Sequence, residues 1–415
     1  IALSALQMAT GDLQKAEEFA RRACEINRCV TDPGTPRSDV AARSLGNVLR
    51  EMGRYEEAQG ILSRGLLAHK PGLEVPIHVV AENLIALADV FVAMEDGSQA
   101  IPIYEEAVSI LERLYGRQNP RAAATRLKIA DGWIQAGQWR EAFDEALRAE
   151  AVTRKHSRIM LTGLSERIAL QYAANRPSGL DRLLSLLIDR PGSGSRPQGV
   201  DALIRARALV LDEMADRRRA QSISAPMDMV RLTQDLTRSR KRLAYLTVQG
   251  PGAPDAIAPF QLALANARRE RDRAERAVAE ADRRFRLREQ GKGVGLEEVV
   301  ASLPPASALV GFSRYRHLRT GGSQGDAALP DEPVPSYLAF VLGADTAEIA
   351  LVDLGCAAEI DALVEELRTV AGREAEVTLL GSSSLEADYR EVAERLRQLI
   401  WDPLEPALAN SSQVF

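Results

Sequence analysis

A repeat with a period of 42 residues constrains the fold of this chain more than any other feature. One position of the period carries alanine throughout: Ala16, Ala58, Ala100 and Ala142. Five residues upstream of it stand the first residues of the predicted turns: Gly11, Gly53, Glu95 and Gly137. Small residues in a fixed frame let two antiparallel helices pack closely, because larger side chains would push their axes apart. The period therefore predicts four helix–turn–helix repeats over residues 1–155.

An apolar position upstream of each turn keeps the same register, with Leu3, Leu45, Leu87 and Ile129. This frame resembles the tetratricopeptide repeat (TPR), in the longer form found in kinesin-light-chain-like arrays. Residues 114–120 are similar to the extended turn between repeats of that subtype. The third repeat departs from the pattern, because Glu95 stands where the other turns have glycine. The resemblance implies an α-solenoid.

A solenoid of this kind leaves a concave groove lined by the first helix of each pair. The resemblance implies that a protein or peptide ligand binds there, in extended or helical form. Polar residues of the first helices are therefore the candidate peptide-binding residues: Arg43, Asn47, Arg50, Glu82, Asn83, Asp89, Arg126 and Lys128. The amides of Asn47 and Asn83 are suited to hydrogen bonds with a ligand backbone. The alternative interpretation is that these residues form an ordinary solvated surface.

The composition limits the class of protein. The 415 residues are 46% apolar and 27% charged, which is enough to form two or three domains with cores of their own. A net charge of −5 gives no reason to expect a nucleic-acid partner. No apolar run approaches the roughly 20 residues of a membrane span, so we predict no membrane partner either.

Three cysteines, Cys24, Cys29 and Cys356, are too few for a disulfide framework, which favours a reducing cytosol and a cytoplasmic protein. Cys24 and Cys29 lack a second ligand pair for zinc, and we expect them to be buried small residues. The sequence begins at Ile1 rather than Met, from which we expect the natural N-terminus to lie upstream.

The centre of the chain is helical but lacks the 42-residue frame. Residues 156–225 form a predicted helical extension, in which the Pro- and Gly-rich stretch 191–197 is typical of a flexible linker. Residues 201–219 predict one amphipathic helix. In 226–290, apolar residues at three- and four-residue steps flank a Gly/Pro turn and predict an antiparallel coiled-coil hairpin, with Ser239 as a polar position in its seam.

Charge is distributed unevenly between the later segments. Residues 201–290 contain 19 basic and 13 acidic side chains, whereas residues 326–415 contain 5 and 18. Opposite signs are able to favour docking between the segments or to steer partners, and the alternative is a solvated hairpin beside an acidic domain. The hairpin lacks the interleaved aromatic residues that single-stranded nucleic acids stack on.

Beyond Gly291 the pattern changes to one of short strands and helices. The predicted strands cover residues 308–315, 337–342, 348–353 and 413–415, the last of them buried. The predicted helices cover residues 357–371 and 384–400. The sequence therefore predicts a mainly α chain that ends in a small α/β segment over residues 296–415.

A second resemblance is carried by four segments that follow one another along the chain in a set order: residues 209–215, 303–310, 351–355 and 404–406. Together with the hairpin they are similar to the region that joins TPR repeats to a CHAT domain in bacterial proteins. Residues 296–415 resemble the N-terminal part of such a domain. CHAT domains resemble caspases and separases, which are cysteine peptidases. The resemblance implies a catalytic His and then a Cys, each at the end of a core strand, at positions downstream of Phe415.

No residue of this chain matches that catalytic pair. The histidine of the family stands next to glycine, which none of the four histidines here does: His69, His78, His156 and His317. His317 and Cys356 both fall in the CHAT-like segment, but the sequence shows neither a base within reach of the thiol nor a lowered pKa. We therefore predict no catalytic residue, no metal site and no cofactor in residues 1–415.

Three functions are compatible with these patterns. The first is the peptide-binding and regulatory portion of a CHAT-type, caspase-like cysteine peptidase. The second is a non-enzymatic TPR and coiled-coil interaction scaffold. The third is a regulator whose CHAT-like part has lost its catalytic residues. The sequence predicts neither the partner nor the oligomeric state.

Overall fold

The chain is mainly α-helical in a computed structural model that describes residues 1–415 apart from nine internal segments. These segments are residues 28–34, 68–75, 162–178, 208–226, 251–256, 282–293, 319–332, 345–348 and 378–382. Among the described helices, none is long and apolar enough to cross a lipid bilayer. The described residues form two units, the first from 1–179 and 208–292, and the second from 180–207, 293–326 and 330–415.

Eight helices of the first unit form the solenoid, in four consecutive pairs. They are α1 (Ala2–Ala9), α2 (Leu13–Ile26), α3 (Pro36–Glu51), α4 (Tyr55–Leu67), α5 (Ile77–Ala93), α6 (Gly97–Tyr115), α7 (Pro120–Gln135) and α8 (Trp139–Leu161). The four frame alanines are 0% exposed: Ala16, Ala58, Ala100 and Ala142. The predicted helix–turn–helix solenoid is therefore confirmed, and its small residues are buried where helices pack.

The turns within the repeats explain the glycine of the frame. The first turn residue has a left-handed backbone in every repeat, with φ of 84° at Gly11, 74° at Gly53, 61° at Glu95 and 71° at Gly137. Glycine adopts this conformation without steric strain. Between the third and fourth repeats, the side chain of Asn119 accepts a hydrogen bond from the backbone N–H of Arg121 at 2.8 Å and caps α7.

The predicted hairpin is formed by α11 (Met227–Gln249) and α12 (Ile257–Ala281), which belong to the first unit. Its apolar seam residues are buried: Leu236, Leu243, Phe260, Leu264 and Ala267. Ser239 is 9% exposed within this seam, and its hydroxyl donates to the carbonyl of Leu236 at 2.8 Å. The antiparallel hairpin and its one polar seam position are therefore confirmed.

The second unit is built on a four-stranded sheet. Its strands are β1 (Ser307–His317), β2 (Val334–Gly343), β3 (Ile349–Cys356) and β4 (Gln413–Val414), in the order β3-β2-β1-β4. Its helices are α9 (Gly179–Asp189), α10 (Arg196–Arg207), α13 (Leu296–Ser302), α14 (Ala357–Val377), α15 (Ser383–Ile400) and α16 (Glu405–Leu408), with a 3₁₀ turn at Asp402–Leu404. The pairs β1–β2 and β2–β3 are antiparallel, whereas β4 is parallel to β1.

Helices cover both faces of this sheet. Leu338 and Phe340 of β2 pack on one face with Leu184 of α9 and Leu203 of α10. Alternate residues of the same strand point to the other face, where an apolar cluster contains residues of α14 and α15: Ala339, Val341, Ile360, Val364 and Leu396. Helices α9 and α10, which the sequence places in the helical extension, therefore form one layer of an α/β/α arrangement.

Several details differ from the sequence-based expectations. The stretch 191–197 is not a flexible linker: residues 191–195 form a short turn and 196–197 begin α10. Within the turn, Ser193 is 6% exposed and its hydroxyl donates to the carbonyl of Leu186 at 3.1 Å. The C-terminal strand is not buried, since Val414 is 39% and Phe415 50% exposed. The second half of the helix predicted over 201–219 lies outside the described residues.

The cysteines also differ from expectation. Cys24 is buried, at 5% exposure, but it is disulfide-bonded rather than merely a small apolar residue. Cys29 lies outside the described residues, and Cys356 is an exposed free thiol. A disulfide removes the argument for a reducing compartment that rested on the number of cysteines.

Candidate functional site

A row of charges crosses the first helices of the second, third and fourth repeats. Asp89 of α5 accepts a hydrogen bond from Arg50 Nη1 of α3 at 3.0 Å and from Lys128 Nζ of α7 at 2.6 Å. The hydroxyl of Tyr104, on α6, donates to the same carboxylate at 2.5 Å. Three successive repeats are thus joined through one carboxylate whose side chain is 14% exposed. We call Arg50, Asp89 and Lys128 the lower row.

A second row lies seven residues, or two helical turns, before the first on each helix. Arg43 Nη1 of α3 donates to Oδ1 of Asn83 on α5 at 3.3 Å, and Arg121 Nη1 of α7 pairs with Glu82 Oε1 of α5 at 3.3 Å. We call Arg43, Glu82 and Arg121 the upper row. Asn83 is 1% exposed, so it holds Arg43 rather than facing the groove.

Arg126 takes a different direction from the other candidates. Its Nη2 pairs with Glu112 of α6 at 2.7 Å, and its Nη1 pairs with Glu145 of α8 at 2.9 Å. Both carboxylates belong to second helices of repeats. The charge of Arg126 therefore lies between helix layers and joins neither row.

Between the two rows the first helices present uncharged, half-buried side chains: Asn47 of α3, Ile85 of α5 and Ala124 of α7. Asn47 has no hydrogen-bond partner among the described residues. Its amide has both a donor and an acceptor, which is the pattern that a peptide group requires. We call these three residues the neutral window.

Burial and neighbouring charges shift the pKa values of two arginines in the rows, Arg43 and Arg50. Burial lowers the pKa of Arg43, although Glu82 and Asp39 act in the opposite direction. Burial also tends to lower the pKa of Arg50, but the carboxylates of Glu51 and Asp89 outweigh it and raise that pKa. The guanidinium of Arg43 is therefore the less well compensated charge of the two, because its hydrogen-bond partner is a neutral amide.

Polarity on the first helices identified most members of the two rows but missed two residues that complete them. Arg121 starts the fourth repeat and was not selected from the sequence, although it pairs with Glu82. Tyr104 is on a second helix, at a frame position that is occupied by a small residue in some repeats and a large one in others. It is 1% exposed there. Tyr104 is 42 residues from both Leu62 and Ala146, and this register predicts that it is buried. The register does not predict the hydrogen bond from the Tyr104 hydroxyl to Asp89.

The two residues considered for a catalytic pair do not meet in the second unit. His317, at the end of β1, has its Nε2 atom 2.8 Å from Asp189 Oδ1 of α9. Cys356 lies at the end of β3, on the far side of β2, and its backbone partner there is Ser336. Within the described parts of the chain, no three His, Cys, Asp or Glu side chains are grouped to hold a metal ion.

The chain is similar to several known proteins in sequence and in structure. No family model matches the chain. The protein KINESIN LIGHT CHAIN-RELATED 1 of Arabidopsis thaliana is 23% identical over 218 residues, which are 50% of this chain and 35% of that protein. The chain therefore spans about a third of the length of this curated relative, with 35% covered.

Three solved structures are also similar. A kinesin-light-chain-type protein of Podosopora anserina with nearly identical TPR-like repeats is 17% identical, with a TM-score of 0.39, 52% of this chain and 94% of that chain covered. YrrB, a TPR protein with an unusual peptide-binding site, is 17% identical, with a TM-score of 0.30 and 53% and 90% covered. BtubC from P. vanneervenii is 14% identical, with a TM-score of 0.34 and 69% and 92% covered. The repeat region of this chain is thus similar to kinesin-light-chain-type and TPR proteins.

Proposed function

We propose that the solenoid binds a peptide segment of another protein across α3, α5 and α7, and that the chain acts as an interaction scaffold. The observation that carries this proposal is the neutral window between two charged rows. The side chains of each row bond across neighbouring first helices, so they hold the three helices together and leave Asn47 available to a ligand backbone. A peptide that lies there gains hydrogen bonds from Asn47 and apolar contact with Ile85 and Ala124.

A displayed library of random peptides, selected against the whole chain, supplies a probe for this site. Asn47→Ala is expected to weaken binding of the selected peptide at least about 5-fold, because the loss of a buried amide pair at an interface costs about 1–3 kcal/mol. The melting temperature should stay unchanged, since Asn47 has no partner among the described residues. Isothermal titration and thermal unfolding measure the two quantities.

Ser109→Ala provides the matched control, because Ser109 is an exposed residue on α6, a second helix. This substitution should leave the affinity unchanged. Peptides that bind equally well to the wild type and to Asn47→Ala, or that lose affinity with Ser109→Ala, place the binding surface elsewhere and contradict the proposal.

The second unit supports a more specific candidate function. We infer that it corresponds to the N-terminal part of a CHAT-type domain, for which the solenoid recognises a partner. The favouring observation is a sheet covered by helices on both faces, in which β4 adds in parallel to β1 beside an antiparallel β1–β2–β3 meander. On this reading the chain regulates a caspase-like cysteine peptidase and carries no catalytic residue in 1–415.

Two measurements separate this candidate from a purely non-enzymatic scaffold. Where the reading frame continues past the codon of Phe415, a His-Gly after one apolar strand and a Cys after the next support the peptidase, and their absence contradicts it. For residues 1–415 alone we expect no hydrolysis of a fluorogenic peptide mixture. Hydrolysis that Cys356→Ala abolishes would contradict the assignment of catalysis to other residues.

A further inference from the structure

Tyr115, the last residue of α6, lies where the hairpin meets the solenoid. The buried hairpin residues Leu243, Phe260 and Leu264 form one apolar cluster, and the side chain of Tyr115 packs against it. The tip of the hairpin lies close as well, since a methyl group added at Gly250 would be 3.7 Å from Cε1 of Tyr115. The hairpin therefore docks on the end of the third repeat.

Polar groups of α12 complete the same contact by capping the end of α6. Gln261 Nε2 donates to the carbonyl of Leu114 at 3.3 Å. A methyl group added at Gly116 would lie 3.3 Å from Nη2 of Arg268. The last carbonyls of a helix lack partners within the helix, and a cation near them interacts favourably with the helix dipole. The docked hairpin thus satisfies a helix end that would otherwise require water.

Tyr115 also packs against a second apolar cluster, which lies between α5, α6 and α7. This second cluster contains Ala81 and Leu84 of α5, Ala122 of α7 and, from the hairpin, Ile257. Ala81 and Ala122 are direct chain neighbours of Glu82 and Arg121, the ion pair of the upper row. Burial raises the pKa of Tyr115, with Arg121 lowering it and Glu82 raising it, so the ring lies within the field of that pair.

We propose that Tyr115 couples docking of the hairpin to the state of the upper row, so that a change at Glu82 and Arg121 loosens or tightens the hairpin. The physical basis is one packed cluster that contains both the hairpin residue Ile257 and the residues beside the ion pair. Interiors are close-packed, so a shift of α7 against α5 changes the space available to Tyr115 and Ile257. Such coupling is reciprocal, and a ligand that engages the upper row would act on the hairpin in the same way.

Hydrogen exchange tests this coupling without any ligand, so its outcome is independent of the proposed peptide binding. Arg121→Ala removes the charge at a side chain that is 62% exposed, which leaves the core intact. The amides of residues 260–267 in α12 are expected to exchange about 3-fold faster or more, the size typical of residues that modulate coupling. Arg21→Ala is the matched control, because Arg21 also pairs across repeats, with Glu57, at 3.4 Å. It should change exchange in α12 less than about 2-fold.

A double-mutant cycle tests whether Tyr115 carries the effect. Tyr115→Ala should accelerate exchange in α12 by itself, and Arg121→Ala added to it should have no further effect. Tyr115→Leu, which keeps an apolar side chain, serves in the same cycle if Tyr115→Ala does not fold. Unchanged exchange in Arg121→Ala, or effects of the two substitutions that multiply in the double variant, would overturn the proposal.

Discussion

One residue in the solenoid stands in a backbone conformation that its side chain disfavours. Glu95 has φ of 61° at a turn position that is glycine in the other three repeats. A left-handed backbone costs a residue with a Cβ about 1–2 kcal/mol. Replacement by glycine removes this strain, but part of the gain in stability is offset because glycine has more conformational freedom in the unfolded chain. Glu95→Gly should therefore raise the free energy of unfolding by about 1 kcal/mol, measured by urea denaturation.

Gly53→Ala is the opposite change at the equivalent turn. Gly53 has φ of 74°, and an added Cβ would meet nothing within 4 Å, so the substitution introduces backbone strain alone. It should lower the free energy of unfolding by about 1 kcal/mol. If Glu95→Gly is destabilising while Gly53→Ala is neutral, then strain at this turn position does not explain the glycine of the repeat frame.

At the scale of helices, the lower row joins three repeats through one carboxylate. Asp89→Asn keeps the size of the side chain but removes the charge that Arg50 and Lys128 share. The loss should be about 2 kcal/mol in the free energy of unfolding, because partly buried cations lose their charged partner. Asp235→Asn in α11 is the control, since its pair with Arg238 is 48% and 80% exposed and should contribute less than about 1 kcal/mol. Equal losses in the two variants would contradict a special role for the row.

The 42-residue period predicted the repeat helices. A position that is buried between helices in every repeat requires a small residue, so alanine recurs there at a fixed spacing in the sequence. Polarity is a weaker guide to direction. Arg126 and Lys128 are both polar on α7, but two residues turn a helix by roughly 200°, so they face opposite sides. Lys128 joins the lower row, whereas Arg126 pairs with Glu112 and Glu145. The sequence alone cannot separate them, because it does not fix which face of α7 packs on the second helices.

The same limit applies to what an apolar face packs against. The pattern of residues 201–219 predicted an amphipathic helix, but nothing local in it indicates that Leu203 packs with Leu338 of a strand more than a hundred residues later. Leu3 shows the converse. It occupies the frame position of Leu45, yet it is 56% exposed whereas Leu45 is 2% exposed. The frame position therefore predicts an apolar residue but does not by itself predict its burial.

At the scale of the whole molecule, two of the described histidines, His78 and His156, are expected to reduce stability in mild acid. Burial lowers the pKa of His156, which is 6% exposed, and burial is also the main cause of the lowered pKa of His78. In the unfolded chain both titrate near the ordinary value of about 6.5. Below that pH the unfolded state binds protons that the folded state does not, so stability falls as the pH falls, until the folded histidines are protonated too.

This loss can be separated from that caused by carboxylates. Glu17 and Glu57, whose pKa values are lowered by arginine partners, stabilise the fold above their unfolded pKa and lose that effect only at more acidic pH. Between about pH 6.5 and 5 the slope of unfolding free energy against pH should therefore come from the histidines, at most about 1.4 kcal/mol per pH unit for each. His156→Gln should flatten this slope while leaving the carboxylate region below pH 4.5 unchanged. An equally steep slope in His156→Gln, followed by urea denaturation at each pH, would show that the buried histidine does not set the response.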